Sequence, residues 1–294
     1  MKYKGSYTVM VTAFDEEGAL NLDEQARFTD WQIRNGIHGL VPLGSTGEFL
    51  SLSRDENRQL AECVINASGG RVPVFIGAGA ERTEDVVDNC KTAEKLGADG
   101  LMIIPPFYST PTESELFNHY SIISKATDLP IMIYNNPATA NVDMTPDTVA
   151  KLAEIPNVEL IKESTLEVTR VRDIKELCGE RMQVFGGILG YESFLEGAVG
   201  WISVAANILP KECSDLYVLS AEDKKIDAAM DLYRRILPII RLVGGHRYVS
   251  ATKVALAMIG FKMGEPRLPR LPLPEDEMKE VERALRSAGV ALSR

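Results

Sequence analysis

Two residues whose side chains could do covalent chemistry stand at the ends of short apolar runs. Lys162 follows the run at residues 158–161, and Tyr134 follows the run at residues 130–133. An unprotonated lysine amine can attack a ketone to form an imine, and a phenol can transfer the protons that this reaction requires. The pair therefore indicates Schiff-base chemistry on a carbonyl substrate. The alternatives are a surface lysine paired with Glu163, and a core tyrosine bonded to a backbone carbonyl.

A polar turn, Gly44-Ser45-Thr46-Gly47, follows another apolar run at residues 39–43. Because glycine permits close approach to the backbone, such a turn can present N–H groups and both hydroxyls to a carboxylate. We assign Ser45, Thr46 and Gly47 to substrate binding, although an ordinary glycine–serine turn would have the same sequence.

A fourth candidate is Tyr108, which lies in the proline-rich segment at residues 105–111. Its hydroxyl could extend a relay through Ser45 or Thr46 to Tyr134. The alternative is a surface or interface tyrosine, and the residues leave both open.

The histidines and cysteines do not form a metal-binding pattern. The three histidines have no paired spacing, and the four cysteines contain no CxxC pair, so we predict no metal site and reduced thiols. We expect structural roles for His38 and His119. The residues concerned are His38, His119, His246, Cys63, Cys90, Cys178 and Cys213.

The elements that must position these residues follow from the apolar pattern. The apolar runs are nearly continuous rather than alternating, which is typical of parallel strands covered on both faces. Helical spacing follows Thr83, a predicted N-cap, and Gly97 is the predicted helix stop. Eight strands are predicted to start near Tyr7, Gly39, Val72, Gly100, Pro130, Val158, Met182 and Gly200.

A short repeat, Gly-x-x-Gly-apolar, occurs before three of these strands. We expect the first glycine to end a helix in the left-handed region and the second to let the chain turn closely into the strand. The repeats begin at Gly36, Gly97 and Gly197.

Eight strands alternating with helices over about 210 residues predict an α/β fold, a (β/α)8 TIM barrel, in which the active site lies at the C-terminal ends of the strands. The runner-up is an open α/β sheet. We predict a barrel core at residues 1–210, and the last barrel helix with a C-terminal helical extension at residues 211–294 in the same structural unit. The helices expected there are Glu212–Ser220, Lys224–Val243, Arg247–Gly260 and Glu275–Ser287.

Composition limits the class of protein. The formal net charge is −10 with no block of basic residues, which disfavours nucleic acid as a partner. No segment reaches the ~20 apolar residues of a membrane span, and no signal peptide is evident. We therefore expect a cytoplasmic protein that acts on a small molecule.

Taken together, the motifs resemble the dihydrodipicolinate synthase/N-acetylneuraminate lyase family. Gly39–Glu56 is similar to the first family signature, while Tyr134-Asn135-x-Pro137 and Ile161-Lys162-Glu163-Ser164 are similar to the second. The similarity runs from Gly5 to about Leu273. Two signatures in the family's order make the resemblance specific.

The resemblance implies a role for each matching residue. Lys162 would be the Schiff-base lysine, Tyr134 the acid and base, and Tyr108 a relay tyrosine donated across a tight dimer interface, with Thr46 in the same relay. It further implies a 2-oxo acid such as pyruvate as substrate, a homotetramer built from two dimers, and no metal or organic cofactor. The resemblance implies substrate contacts for Ser45, Thr46, Gly186 and Ile202, and we add Gly47 and Thr139 as candidate substrate-binding residues.

One stretch departs from the synthase branch of the family. An arginine that binds the carboxylate of the aldehyde follows the Tyr-Asn-x-Pro motif there, whereas this chain has Ala138-Thr139-Ala140. We therefore predict a lyase or aldolase acting on a 2-oxo-3-deoxy sugar acid or a related hydroxylated 2-oxo acid. The alternatives are a dihydrodipicolinate synthase, a sugar-acid dehydratase that uses the same imine, and a catalytically dead regulatory barrel.

Overall fold

A computed structural model of the chain describes residues 3–293. Eight strands lie within this range, as predicted, and the recorded pairings between neighbours are parallel. They are β1 (Gly5–Val9), β2 (Gly39–Val41), β3 (Phe75–Gly77), β4 (Gly100–Ile103), β5 (Ile131–Asn135), β6 (Val158–Glu163), β7 (Gln183–Gly186) and β8 (Gly200–Ser203).

The strands follow the order β2-β1-β8-β7-β6-β5-β4-β3 in one sheet. Eight parallel strands form a nearly closed barrel with helices between them, which confirms the predicted TIM barrel over the open sheet. In this fold the loops that follow the strands carry the chemistry.

The α-helices found within residues 3–293 follow the expected alternation and then continue into a helical C-terminal part. Among the four helices predicted there, α12 has the predicted bounds and the other three begin within two residues of the predicted starts. The helices are α1 (Leu22–Arg34), α2 (Arg54–Ser68), α3 (Thr83–Leu96), α4 (Glu113–Ser124), α5 (Pro137–Ala140), α6 (Pro146–Leu152), α7 (Arg170–Cys178), α8 (Gly190–Leu195), α9 (Pro210–Tyr217), α10 (Ile226–Leu242), α11 (Tyr248–Met258) and α12 (Glu275–Ser287).

Backbone contacts divide the chain into two compact units. The first contains the residues up to Gly5 and Pro73–Ile202, and therefore β3–β7 with most of β8. The second contains Ser6–Val72 and the chain from Ser203 onward, and therefore most of β1, all of β2 and helices α9–α12. The proposed assignment of residues 1–210 and 211–294 to one structural unit stays a prediction.

The first glycine of each repeat has the predicted conformation. Gly36, Gly97 and Gly197 have φ angles of 82°, 86° and 94°, in the left-handed region that follows a helix end. This part of the prediction is confirmed.

The second glycine of each repeat has a different role from the one expected. An added Cβ at these positions would lie only 2.2–2.5 Å from an aromatic ring on the neighbouring strand. The glycines therefore make room for large rings in the core rather than for a tight turn. The pairs are Gly39 with Tyr7, Gly100 with Phe75, and Gly200 with Phe185.

Thr83 is not the N-cap of α3, contrary to the prediction. Arg82 occupies the cap position without a side-chain cap, and the Thr83 hydroxyl lies 2.9 Å from Nδ1 of His119. Burial lowers the pKa of His119 to about 4, so this ring is neutral at pH 7. His38 accepts the Ser6 N–H on Nδ1, and both histidines therefore have the structural roles expected of them.

Two further features concern membranes and thiols. Between residues 3 and 293, no helix is both long enough and apolar enough to cross a bilayer. All four cysteines are free, and their reduced state stays a prediction.

Candidate active site

Tyr134 and Lys162 lie side by side near the C-terminal ends of β5 and β6. The two residues are paired in the strand register, and each is 6% exposed. Nζ of Lys162 lies 3.9 Å from the centroid of the Tyr134 ring. The predicted meeting of the lysine with the tyrosine of the neighbouring strand is therefore confirmed.

Within residues 3–293, Lys162 has no acidic partner, and the contact of its amine is with the ring of Tyr134. Glu163 points its carboxylate elsewhere, accepting from Nδ2 of Asn135 at 3.0 Å and from the N–H of Thr165 at 2.7 Å. The alternative of a Lys162–Glu163 ion pair is therefore wrong. Because a buried ammonium without a carboxylate is costly, this environment suits an amine that acts as a nucleophile.

Asn135 holds the segment that follows Tyr134. Its Nδ2 also donates to Asp143 at 3.1 Å, and its Oδ1 accepts from the N–H of Met144 at 3.0 Å. Asp143 in turn receives two hydrogen bonds from Arg170, at 2.7 and 2.9 Å, and this guanidinium lowers the pKa of the Asp143 carboxyl. The network fixes residues 136–144 against the end of β5.

The Ser45–Gly47 turn follows β2 as one turn of 3₁₀-helix. Left-handed residues flank it, because Leu43 has φ 61° and Glu48 has φ 57°. Such angles are strained for residues other than glycine and persist only where surrounding contacts enforce them. The Ser45 and Thr46 hydroxyls have no hydrogen-bond partner in the described part of the chain, so the turn offers two unengaged hydroxyls.

A buried ion pair supports the end of this turn. Nζ of Lys253 lies 3.0 Å from Oε1 of Glu48, with the side chains 2% and 0% exposed. The other Glu48 oxygen accepts the Arg267 N–H at 2.8 Å, and Nζ also lies 4.2 Å from the centroid of the Phe14 ring. Burial lowers the pKa of Lys253 to about 8 against the opposing effect of Glu48, so the ammonium form prevails at neutral pH.

Tyr108 is presented to solvent on a tightly held loop. Its side chain is 86% exposed, and within residues 3–293 no hydrogen bond or ring contact joins it to Tyr134 or Lys162. The Glu81 carboxylate accepts the N–H groups of Phe107, Tyr108 and Ser109 at 2.9–3.0 Å. Although burial acts in the opposite direction, hydrogen bonds from these residues lower the pKa of Glu81 to about 2.

We expect Glu81 to contribute stability that depends on pH. Because its folded-state pKa is lowered to about 2, the contribution is present above the ordinary value of 4.5 and is lost as the pH falls from there toward 2. With solvent screening it amounts to roughly 1 kcal/mol. Urea unfolding of Glu81→Gln at pH 7 and pH 3 should show a deficit against the wild type that shrinks at the lower pH.

The control for this experiment is Glu84→Gln, which changes an exposed glutamate in the first turn of α3. This variant should match the wild type at both pH values. An equal deficit for Glu81→Gln at both pH values would contradict the role given to its carboxylate.

The remaining predicted site residues are not joined to Lys162 by a recorded contact. Thr139 is exposed on α5, and its hydroxyl donates to the Asn136 carbonyl at 3.3 Å. Gly186 is buried at the end of β7, where a Cβ would lie 2.5 Å from Oγ of Ser193, so packing alone requires glycine there. Ile202 is buried on β8. Their substrate contacts stay predictions.

Three residues near the site were not found from the sequence. Each of them contacts a segment of the site through its side chain, and the neighbouring sequence does not show which residue is its partner. They are Asn136, Glu81 and Lys253. For Asn136 a signal existed, because an amide occupies the variable position of the Tyr-Asn-x-Pro motif. No group of three or more metal-binding side chains occurs within residues 3–293, and the absence of a metal or cofactor stays a prediction.

A profile of the dihydrodipicolinate synthetase family matches residues 2–288. The chain belongs to this family. It is therefore an enzyme of the lyase class, a class I aldolase, as the two sequence signatures predicted.

Similar members of the dihydrodipicolinate synthetase family match over nearly their whole length. The 4-hydroxy-tetrahydrodipicolinate synthase of Bartonella bacilliformis is 34% identical over 292 residues, covering 98% of each chain. That of Methylobacterium radiotolerans is 35% identical over 295 residues, covering 98% of this chain and 97% of that one.

A solved structure of the family agrees with the fold. The dihydrodipicolinate synthase of Acinetobacter baumannii, solved in complex with pyruvate, superposes with a TM-score of 0.95 at 33% identity. The match covers 98% of this chain and 99% of that one.

Proposed function

We propose that this enzyme condenses pyruvate with an aldehyde through an imine on Lys162, as a 4-hydroxy-tetrahydrodipicolinate synthase. The observation that carries the proposal is the buried amine of Lys162, which lies over the Tyr134 ring with no acidic partner within residues 3–293. The synthase names of the relatives support the alternative prediction from sequence over the first prediction, a sugar-acid lyase.

The proposed reaction begins with attack of the neutral Lys162 amine on the carbonyl carbon of pyruvate. Both amine protons leave with the carbonyl oxygen as water, and the carbon–nitrogen double bond of the imine remains. Transfer of a methyl proton to the imine nitrogen then gives an enamine, whose carbon bonds to the aldehyde carbon while the aldehyde oxygen takes up a proton, which leaves an iminium on Lys162. Attack of the product's own amine on the iminium carbon closes the ring and releases the Lys162 amine. We assign these proton transfers to Tyr134, because its phenol belongs to the side chain that contacts the amine.

For the carboxylate of pyruvate we propose Ser45, Thr46 and Gly47 as ligands. Two features support this assignment: the unengaged hydroxyls of the turn, and the strained residues on either side of it. A turn held in advance binds an anion without a further loss of chain entropy. Gly186 and Ile202 are proposed to line the site beside the imine.

The name of the relatives' product indicates the aldehyde. Removal of the pyruvate carbons from 4-hydroxy-tetrahydrodipicolinate leaves a four-carbon amino acid aldehyde, aspartate 4-semialdehyde. Its carboxylate requires a cation, yet Thr139 stands in the stretch where the synthase branch has arginine. The nearby Arg170 is bound by Asp143 and Glu167.

This departure supports a second candidate function. The enzyme would cleave a 2-oxo-3-deoxy sugar acid to pyruvate and a hydroxylated aldehyde, and Thr139 would contact an uncharged hydroxyl. Both candidates share the imine on Lys162 and differ in the second substrate.

A direct product assay separates the two candidates. We expect the purified enzyme to consume pyruvate and aspartate 4-semialdehyde together, with the condensation product detected by mass spectrometry. Thr139→Arg should raise kcat/KM for this aldehyde roughly ten- to hundredfold by supplying a bidentate carboxylate ligand.

The matched control is Thr139→Leu, which adds bulk without charge and should not raise kcat/KM. Release of pyruvate from 2-oxo-3-deoxy sugar acids, without any condensation by the wild type, would contradict the synthase and support the second candidate.

We further propose a homotetramer of two tight dimers, in the cytoplasm, in which Tyr108 of one protomer completes the relay of the other. The exposure of this side chain supports the proposal, because an 86% exposed ring has room for a neighbouring subunit. Sedimentation analysis of the wild type would measure the oligomeric state.

A further inference from the structure

The phenol oxygen of Tyr134 has a single hydrogen-bond partner within residues 3–293. Nδ2 of Asn136 donates to it at 2.9 Å, from the variable position of the Tyr-Asn-x-Pro motif. The two residues are separated by Asn135, whose own amide is committed to Glu163, Asp143 and Met144. The Asn136 amide is therefore the group that meets the reactive oxygen.

The side chain of Asn136 is not used to cap a helix. Asn136 is the N-cap residue of α5, a position where asparagine usually accepts a backbone N–H through its side chain. Here no such side-chain bond is made, and the Asn136 carbonyl accepts the N–H groups of Thr139 and Ala140 at 3.0 Å instead. The backbone is thus held while the amide remains free to bond Tyr134.

The direction of this hydrogen bond constrains the proton on Tyr134. An amide nitrogen can only donate, so the phenol oxygen accepts from Asn136 and its own proton must point to another partner. When that proton leaves, the same donor lies against the negative oxygen, where hydrogen bonds are stronger than between neutral groups. The Lys162 amine lies over the ring face, so it leaves the oxygen available to substrate.

We propose that Asn136 is a positioning residue that directs the Tyr134 proton toward substrate and stabilises the oxygen after the proton has left. This inference rests on the proposed imine chemistry and deepens it. Asn136 acts through Tyr134, contacts neither pyruvate nor Lys162, and should leave the equilibrium between free pyruvate and the imine unchanged.

The test measures proton transfer separately from imine formation. Exchange of the pyruvate methyl protons in D2O, followed by proton NMR, reports enamine formation and needs no aldehyde. Borohydride capture of pyruvate on Lys162, followed by peptide mass mapping, reports the imine. For Asn136→Leu we expect methyl exchange about tenfold slower than wild type, with the pyruvate concentration for half-maximal capture changed less than about twofold.

Two further variants keep the result interpretable. Asn136→Gln retains an amide donor and should recover exchange to within about threefold of wild type. Asn66→Leu makes the same chemical change at an exposed position on α2 and should match wild type. Capture of pyruvate by Asn136→Leu shows that the variant is folded around Lys162.

Wild-type exchange rates in Asn136→Leu would overturn the inference, as would parallel loss of exchange and capture in Asn136→Leu and Asn136→Gln. Failure of the wild type to be captured by pyruvate would instead overturn the proposed function. The two failures are therefore distinguishable.

Discussion

Replacement of Lys162 by alanine is expected to abolish borohydride capture of pyruvate and to lower turnover at least ~10⁴-fold, the order found when a covalent nucleophile is removed. The reason is that no other amine within residues 3–293 has the same setting: Lys253, also buried, is paired with Glu48. Mass spectrometry of the reduced protein would measure capture, and a coupled assay of pyruvate consumption would measure turnover.

The matched control is Lys175→Ala, which removes an exposed lysine of α7 that donates to the Gly197 carbonyl. It should be captured as fully as wild type, with the adduct at Lys162. An adduct of wild-type yield in Lys162→Ala would show that a different amine forms the imine.

Lys253→Met is expected to lower the free energy of unfolding by about 3–5 kcal/mol, the usual cost of breaking a buried ion pair from one side. The variant leaves Glu48 as a fully buried carboxylate without its ammonium partner. Guanidinium denaturation at pH 7 would measure the loss. Because Glu48 adjoins Gly47, the apparent KM for pyruvate should rise in the same variant.

A double-mutant cycle tests whether the pair or the lysine alone matters. Glu48→Gln/Lys253→Met removes both charges and should recover part of the lost stability. Lys211→Met breaks an exposed pair with Asp215 and should cost less than about 1 kcal/mol. A similarly small loss for Lys253→Met would refute the importance of the buried pair.

The fold could be predicted because it depends on periodic signals. Continuous apolar runs identified all eight strands, and the register that brings Tyr134 opposite Lys162 followed from their position at the ends of neighbouring strands. The second glycines of the repeat were misjudged, because their reason is an aromatic ring on another strand and the local sequence does not show it.

The side-chain network around the site could be predicted only in part. Residues that perform the chemistry have distinctive types, and a lysine at a strand end is conspicuous. The residues that position them contact partners far away in the sequence. Glu81 contacts a loop 26 to 28 positions away, and Lys253 contacts Glu48, 205 positions earlier. Thr83 was misassigned because its hydroxyl bonds His119 rather than its own helix.

The hydrogen bonds of the Glu81 carboxylate affect the entropy that is lost when the Tyr108 ring binds another protein surface. When a large aromatic residue becomes buried in a complex, its backbone usually loses conformational freedom along with its side chain. Here the three N–H groups around Tyr108 are already fixed, so only the side-chain torsions remain to be restricted. Association through this ring therefore carries a small entropic penalty, and tightening or loosening the loop should change the lifetime of any complex it forms.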